Sequence, residues 1–188
     1  LLFNPSGTRF VFLHRWRPDR GRGWPFRTRM MIADPDGGNL SVLVPGGCGH
    51  FNWRDDRHLV IQDGGFSLYE DGRGRIGKIG QGIMPDSGGH VSFLPDGKWL
   101  VGDTYPDENR NQQLYLYHTE NGRFVDLGSF YLPTEYSGCH SGTEDNEWRC
   151  DLHPRISPSG RLLCIDSAHA DGRQMYLFDL GNFFESAQ

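Results

Sequence analysis

Apolar positions in this chain come in strand-sized runs, and nowhere do they keep the 3.6-residue period of an amphipathic helix. The runs recur in a fixed order. A polar turn leads into a continuous apolar run at Phe10-Val11-Phe12-Leu13, Leu59-Val60-Ile61, Trp99-Leu100-Val101 and Leu162-Leu163-Cys164-Ile165. A segment alternating by twos comes next, at Met31 to Asp34, Phe66 to Tyr69, Gln113 to Tyr117 and Gln174 to Asp179. The dipeptides Asp36-Gly37, Asp71-Gly72 and Asn121-Gly122 then mark tight hairpins, since these residues tolerate positive φ. A short edge strand such as Phe124-Val125-Asp126-Leu127 follows.

Four short antiparallel strands in a period of about 40 residues predict a β-propeller blade. The units span 1–49, 50–89, 90–152 and 153–188. A β-sandwich would hold as many strands but does not call for a repeated strand order. The expectation is an all-β, single-domain β-propeller of about four blades. Because the sequence opens inside a repeat, these read as part of a larger ring of about seven blades. The third unit is the odd one, at 63 residues against 40 in the unit before it. Its extra length is placed at Ser129 to Trp148, an insert of the kind that gathers on a binding face.

Three histidines stand at the same place in successive units: His50, His90 and His153 each precede the first strand. First strands line the channel of a propeller, so these imidazoles are expected at its mouth. Cys150-x-x-His153 adds a thiol at a spacing common in zinc sites, and His169 follows the second strand of the last unit. His90, Cys150, His153 and His169 therefore form a candidate set for a divalent metal, zinc or manganese. The plainer alternative is that each histidine caps its strand by bonding to backbone. A closed set of four ligands would be structural, an open one catalytic.

Composition narrows the partners. The net charge of −5 argues against nucleic acid, and no run is long enough for a membrane span. Only Lys78 and Lys98 are lysines, whereas seventeen residues are arginines, whose planar fork matches carboxylates. Arg9, Arg15, Arg17, Arg20, Arg22, Arg27 and Arg29 crowd one stretch, which suits an acidic polymer as ligand and equally suits a GC-rich genome. Cys48, Cys139, Cys150 and Cys164 form no CxxC pair, and Cys164 reads as a small core residue. Gly138-Cys139-His140-Ser141-Gly142 lacks the serine slot of a nucleophile elbow, and Glu144, Asp145 and Glu147 read as a charged surface loop.

The phrases GGHVSFLPDGKWLVGDTYPDENRNQQLYLY and WRCDLHPRISPSGRLLCIDSAHADGRQMYLFDL resemble the oligogalacturonate-lyase-like propellers, a group similar in architecture to the propeller ulvan lyases. The resemblance covers roughly residues 50 to 180 and implies a carbon–oxygen lyase that cleaves uronic-acid oligo- or polysaccharides by metal-assisted β-elimination. It implies a metal held by histidines of successive blades, and a histidine base. On that pattern His50 is the candidate base, with His90 the alternative if His50 is itself a ligand. Arg149 or Arg155 is the candidate carboxylate clamp, and Tyr136 the candidate acid. Where the family has a glutamine among its ligands, this chain has Cys150. The competing expectation is a non-catalytic TolB-like propeller that binds a protein or glycan. A periplasmic or secreted location is favoured over the cytoplasm.

Overall fold

The computed structural model describes residues 1–17, 27–86, 88–136, 149–181 and 183. Blade 1 comprises β1 (Leu2–Phe3), β2 (Phe10–Trp16), β3 (Arg27–Ala33) and β4 (Ser41–Val44). Blade 2 comprises β5 (Phe51–Trp53), β6 (His58–Gln62), β7 (Phe66–Glu70) and β8 (Gly74–Lys78). Blade 3 comprises β9 (Val91–Phe93), β10 (Trp99–Asp103), β11 (Asn111–His118) and β12 (Phe124–Tyr131). In blade 4 the described strands are β13 (Arg155–Ile156), β14 (Leu162–Ser167) and β15 (Gln174–Asp179). Each sheet is an antiparallel meander in chain order, which is the β-propeller fold that the repeat predicts.

Two compact units divide the chain, Leu1–Gln81 with blades 1 and 2, and Gly82–Gln188 with blades 3 and 4. In the first, alternation along the strands sends Val11, Met30 and Ile32 of blade 1 against Trp53, Leu59 and Ile61 of blade 2. Polar contacts fix that pairing: Trp53 Nε1 donates to the Leu2 carbonyl (3.1 Å), and Arg9 spans the carboxylates of Asp34 and Asp71. In the second unit Val101, Leu114 and Leu116 of blade 3 meet Leu163 and Ile165 of blade 4, with Leu152 between them. Ser92 Oγ of β9 donates to the Pro154 carbonyl beside β13 (2.9 Å), tying the two first strands together.

Two details depart from the sequence expectation. The edge strand β12 runs to Tyr131, past Leu127, so Ser129 is a strand residue and not the start of an insert. A bulge makes the extension possible: pairing steps from Leu114↔Gly128 to Tyr115↔Asp126, Gly128 takes φ +136°, and its N–H donates to Asp126 Oδ1 (2.9 Å). Cys164 is not a core residue. In β14 the buried positions are Leu163, Ile165 and Ser167, so Cys164 falls on the other face, opposite exposed Leu177.

Candidate functional site

The site grows from one close approach of backbones in the second unit. Gly89, just before β9, has φ +145°, and a Cβ there would stand 2.0 Å from the Asp103 carbonyl oxygen and 2.6 Å from its Oδ1. Only glycine fits. The approach brings the His90 N–H onto Asp103 Oδ1, while His90 Nδ1–H donates to Oδ2 (3.2 Å). Asp103 ends a strand whose five residues are all buried, and is itself 1% exposed. Its Oδ2 also accepts the His153 N–H (2.9 Å), so one buried carboxylate holds both histidine segments.

His153 sits at φ +44°, a left-handed conformation uncommon for any residue with a side chain and disfavoured before proline. That twist lays its ring on His90, with centroids 3.5 Å apart and planes at 27°. Asp151 completes a group with His90 and His153 in which one donor atom from each lies within 4.8 Å of the others. Arg149 Nε donates to both Asp151 oxygens (3.0 and 2.8 Å), and its guanidinium carbon stands 5.0 Å from the centroid of the Tyr105 ring. Tyr105 in turn meets His90 edge-on at 6.1 Å.

Two stacked imidazoles cannot comfortably both carry a proton. Although His153 is exposed, partial loss of hydration and then the neighbouring His90 lower its pKa, which favours the neutral ring. The bond from Nδ1–H to Asp103 sets the tautomer of His90 and puts its lone pair at Nε2. For Tyr105, burial and then the Asp151 charge raise the pKa, which keeps the phenol protonated.

The sequence candidates thus part company. His90 and His153 come together, as their repeat position predicts. Cys150 instead lies 2% exposed in an apolar cluster with Leu132 and Ala168, where burial pushes the thiol up and away from the thiolate that binds metal. Its neighbour Asp151, and not Cys150, is the residue grouped with the two histidines. His169 is exposed, its Nδ1 bonded to Ser167 Oγ (2.8 Å) and its ring against Tyr176 (4.5 Å). Tyr136 packs on the Cys150 cluster, and exposed Arg155 reaches Asp166 (3.3 Å). Arg149 is at the site, clamping Asp151. His50 belongs to the first unit, beside β5. Cys139, His140, Glu144, Asp145 and Glu147 lie outside the described residues.

Sequence reasoning missed Asp103, Asp151 and Tyr105. A signal for the first existed: a carboxylate closing the buried run Trp99-Leu100-Val101-Gly102 demands hydrogen-bond donors from somewhere.

No protein-family model matches the sequence, and no curated protein matches it. Solved structures do. The chain is similar to TolB from Acinetobacter baumannii, with TM-score 0.64 and 19% identity over 93% of this chain and 40% of that one. It is similar to an oligogalacturonate lyase in complex with manganese, with TM-score 0.51 and 15% identity over 92% of this chain and 62% of that one. It is also similar to the β-propeller domain of the Trilobed protease from Pyrococcus furiosus, with TM-score 0.57 and 12% identity over 95% of this chain and 54% of that one. The chain therefore spans less than two thirds of these proteins, and at such identities the likeness establishes a β-propeller fold alone.

Proposed function

We propose that this chain belongs to a polysaccharide lyase that cleaves uronic-acid-containing glycans by metal-assisted β-elimination. The observation that carries the reading is the stacked pair His90 and His153 with Asp151, held from below by buried Asp103. Two imidazoles and a carboxylate suit zinc or manganese, and three protein ligands leave positions for substrate, as catalytic sites do. A carboxylate behind a ligating histidine fixes its tautomer and strengthens it as a donor. The residues present therefore fit a divalent ion, with Asp151 shared between that ion and Arg149.

Such an ion would neutralise the substrate carboxylate, beside which the C5 proton must be removed. Around it the chain's own groups have distinct tasks. Asp103 orients both histidine segments, Arg149 fixes Asp151, and Tyr105 is a protonated phenol at the edge of His90, placed to give a proton to the departing C4 oxygen. It takes the acid role that the sequence assigned to Tyr136. For the base the sequence offers His50, or His90 if His50 is itself a ligand, and such a base typically contributes about 10²–10⁴-fold. A lyase of polymeric uronate meets its substrate outside the cytoplasm, so we place the protein in the periplasm or beyond it.

The similarity to the Acinetobacter baumannii TolB favours a second reading, a non-catalytic propeller that binds a protein or glycan partner. Incubating metal-replete protein with polygalacturonate and with ulvan separates the two. The lyase reading expects ultraviolet absorbance from unsaturated uronate, lost with chelator or on His90→Ala and His153→Ala, and regained with zinc or manganese. No absorbance on either polymer would sink it in favour of the binding propeller.

A further inference from the structure

The arginine-rich stretch near the start of the chain is not absorbed by that site. Arg9 leaves the cluster, since it is engaged by Asp34 and Asp71, and Arg20 and Arg22 lie outside the described residues. What remains is the far end of the β2–β3 hairpin. There β1 reaches only to Val11 and β4 only to Met30, so His14 to Trp16 and Arg27 to Arg29 have one another as strand partners.

Register decides which side chains share a face. His14 pairs with Arg29 and Trp16 with Arg27, and His14 and Trp16 are two apart, so all four stand on one side of the hairpin. The side chains are organised there. The His14 and Trp16 rings stack at 5.1 Å with planes at 19°, Arg29 Nε donates to His14 Nδ1 (2.9 Å), and the Arg29 guanidinium carbon stands 5.7 Å from the Trp16 ring centroid. Phe10–Trp16 and Arg27–Ala33 contain no acidic residue.

We propose that this face binds a stretch of acidic glycan, Trp16 stacking on a sugar ring while Arg27 and Arg29 pair with its carboxylates. An indole offers an apolar plane to the C–H face of a pyranose, and the guanidinium fork meets a carboxylate with two parallel hydrogen bonds. Arg29 keeps Nη donors for this purpose while its Nε orients His14. The face belongs to the first unit and His90 and His153 to the second; its role in this proposal is to hold polymer. The choice of uronate as the acidic sugar rests on the lyase reading; the aromatic and cationic face does not.

The test is binding of the protein to polygalacturonate and to ulvan, with amylose and single-stranded DNA as comparators, at low and raised salt. Binding to at least one uronate polymer, weakened by salt and absent for amylose, is expected. Trp16→Ala and the double substitution Arg27→Ala/Arg29→Ala should each weaken it by about tenfold. Both should leave the protein folded, read by circular dichroism. The proposal fails if the variants bind like the parent, if amylose binds as tightly, or if DNA competes equally while Trp16→Ala has no effect, which would mark a general anion patch. Variant-sensitive binding with no unsaturated product would uphold this surface and defeat the lyase reading instead.

Discussion

In blade 2 the backbone N–H of Gln62 donates to the His50 carbonyl (2.8 Å), and in blade 3 that of Asp103 donates to the His90 carbonyl (3.1 Å). Gln62 and Asp103 therefore hold equivalent places at the end of the second strand, each beside a Gly-His pair. The amide of Gln62 turns its Oε1 towards Gly49, 2.8 Å from where a Cβ would be. The carboxylate of Asp103 accepts from His90 twice and from His153 once, and so joins two blades. Blade 2 does own a nearby carboxylate, one residue further on. Asp63 spends it within its own blade, on Ser67 Oγ and Tyr69 OH (both 2.6 Å) and on Lys78 (3.5 Å). Shifting an acid by one residue thus changes it from a stitch inside one sheet to the support of a two-histidine site.

Breaking the close approach should have the largest effect. Gly89→Ala forces a Cβ against the Asp103 backbone at a φ that alanine avoids, at an expected cost of about 3–5 kcal/mol in urea unfolding. Gly49→Ala in blade 2 meets only the movable end of the Gln62 side chain and should cost less than about 1.5 kcal/mol. A cost for Gly89→Ala no greater than for Gly49→Ala would erase the distinction between the blades.

Removing the charge while keeping the shape comes next. On the proposed lyase reading, Asp103→Asn should reduce metal affinity, read by calorimetry, and uronate cleavage by about 10–100-fold, while Gln62→Asn leaves both near the parent values. Retention of metal affinity in Asp103→Asn would show that the carboxylate does not support the ligands.

The smallest effect concerns the blade 2 acid and appears in acid. Burial opposes ionisation of Asp63, but hydrogen bonds from Ser67 and Tyr69 and the charge of Lys78 outweigh it, and the pKa lies below its ordinary value of 3.8. The unfolded chain then binds the proton first as pH falls, so the stabilisation is complete above about pH 4 and disappears as pH drops through the folded-state value. Asp63→Asn should cost about 1–2 kcal/mol at neutral pH and flatten the acid limb of the unfolding curve. An unchanged acid limb would mean that Asp63 is not held ionised by its neighbours.

The blades were legible in the sequence because period-two patterning and turn dipeptides are local properties. The strand order, the inward alternation of Val11, Leu59, Val101 and Leu163, and the repeat position of His90 and His153 could all be read from neighbours within a few residues. Which atoms the site uses was not legible in the same way. Cys150 and Asp151 are adjacent, and spacing to His153 favours the thiol; only the backbone path decides that Cys150 is packed under Leu132 and Ala168 while Asp151 is presented to the imidazoles. Likewise the length of β12 depends on a bulge opposite β11, and the value of Asp103 on donors 13 and 50 residues away. Pattern determines which face of a strand is buried, because that repeats with the chain's own geometry; contacts between distant segments are set by how the sheets meet, and which of two neighbouring side chains faces the histidines belongs to that second kind.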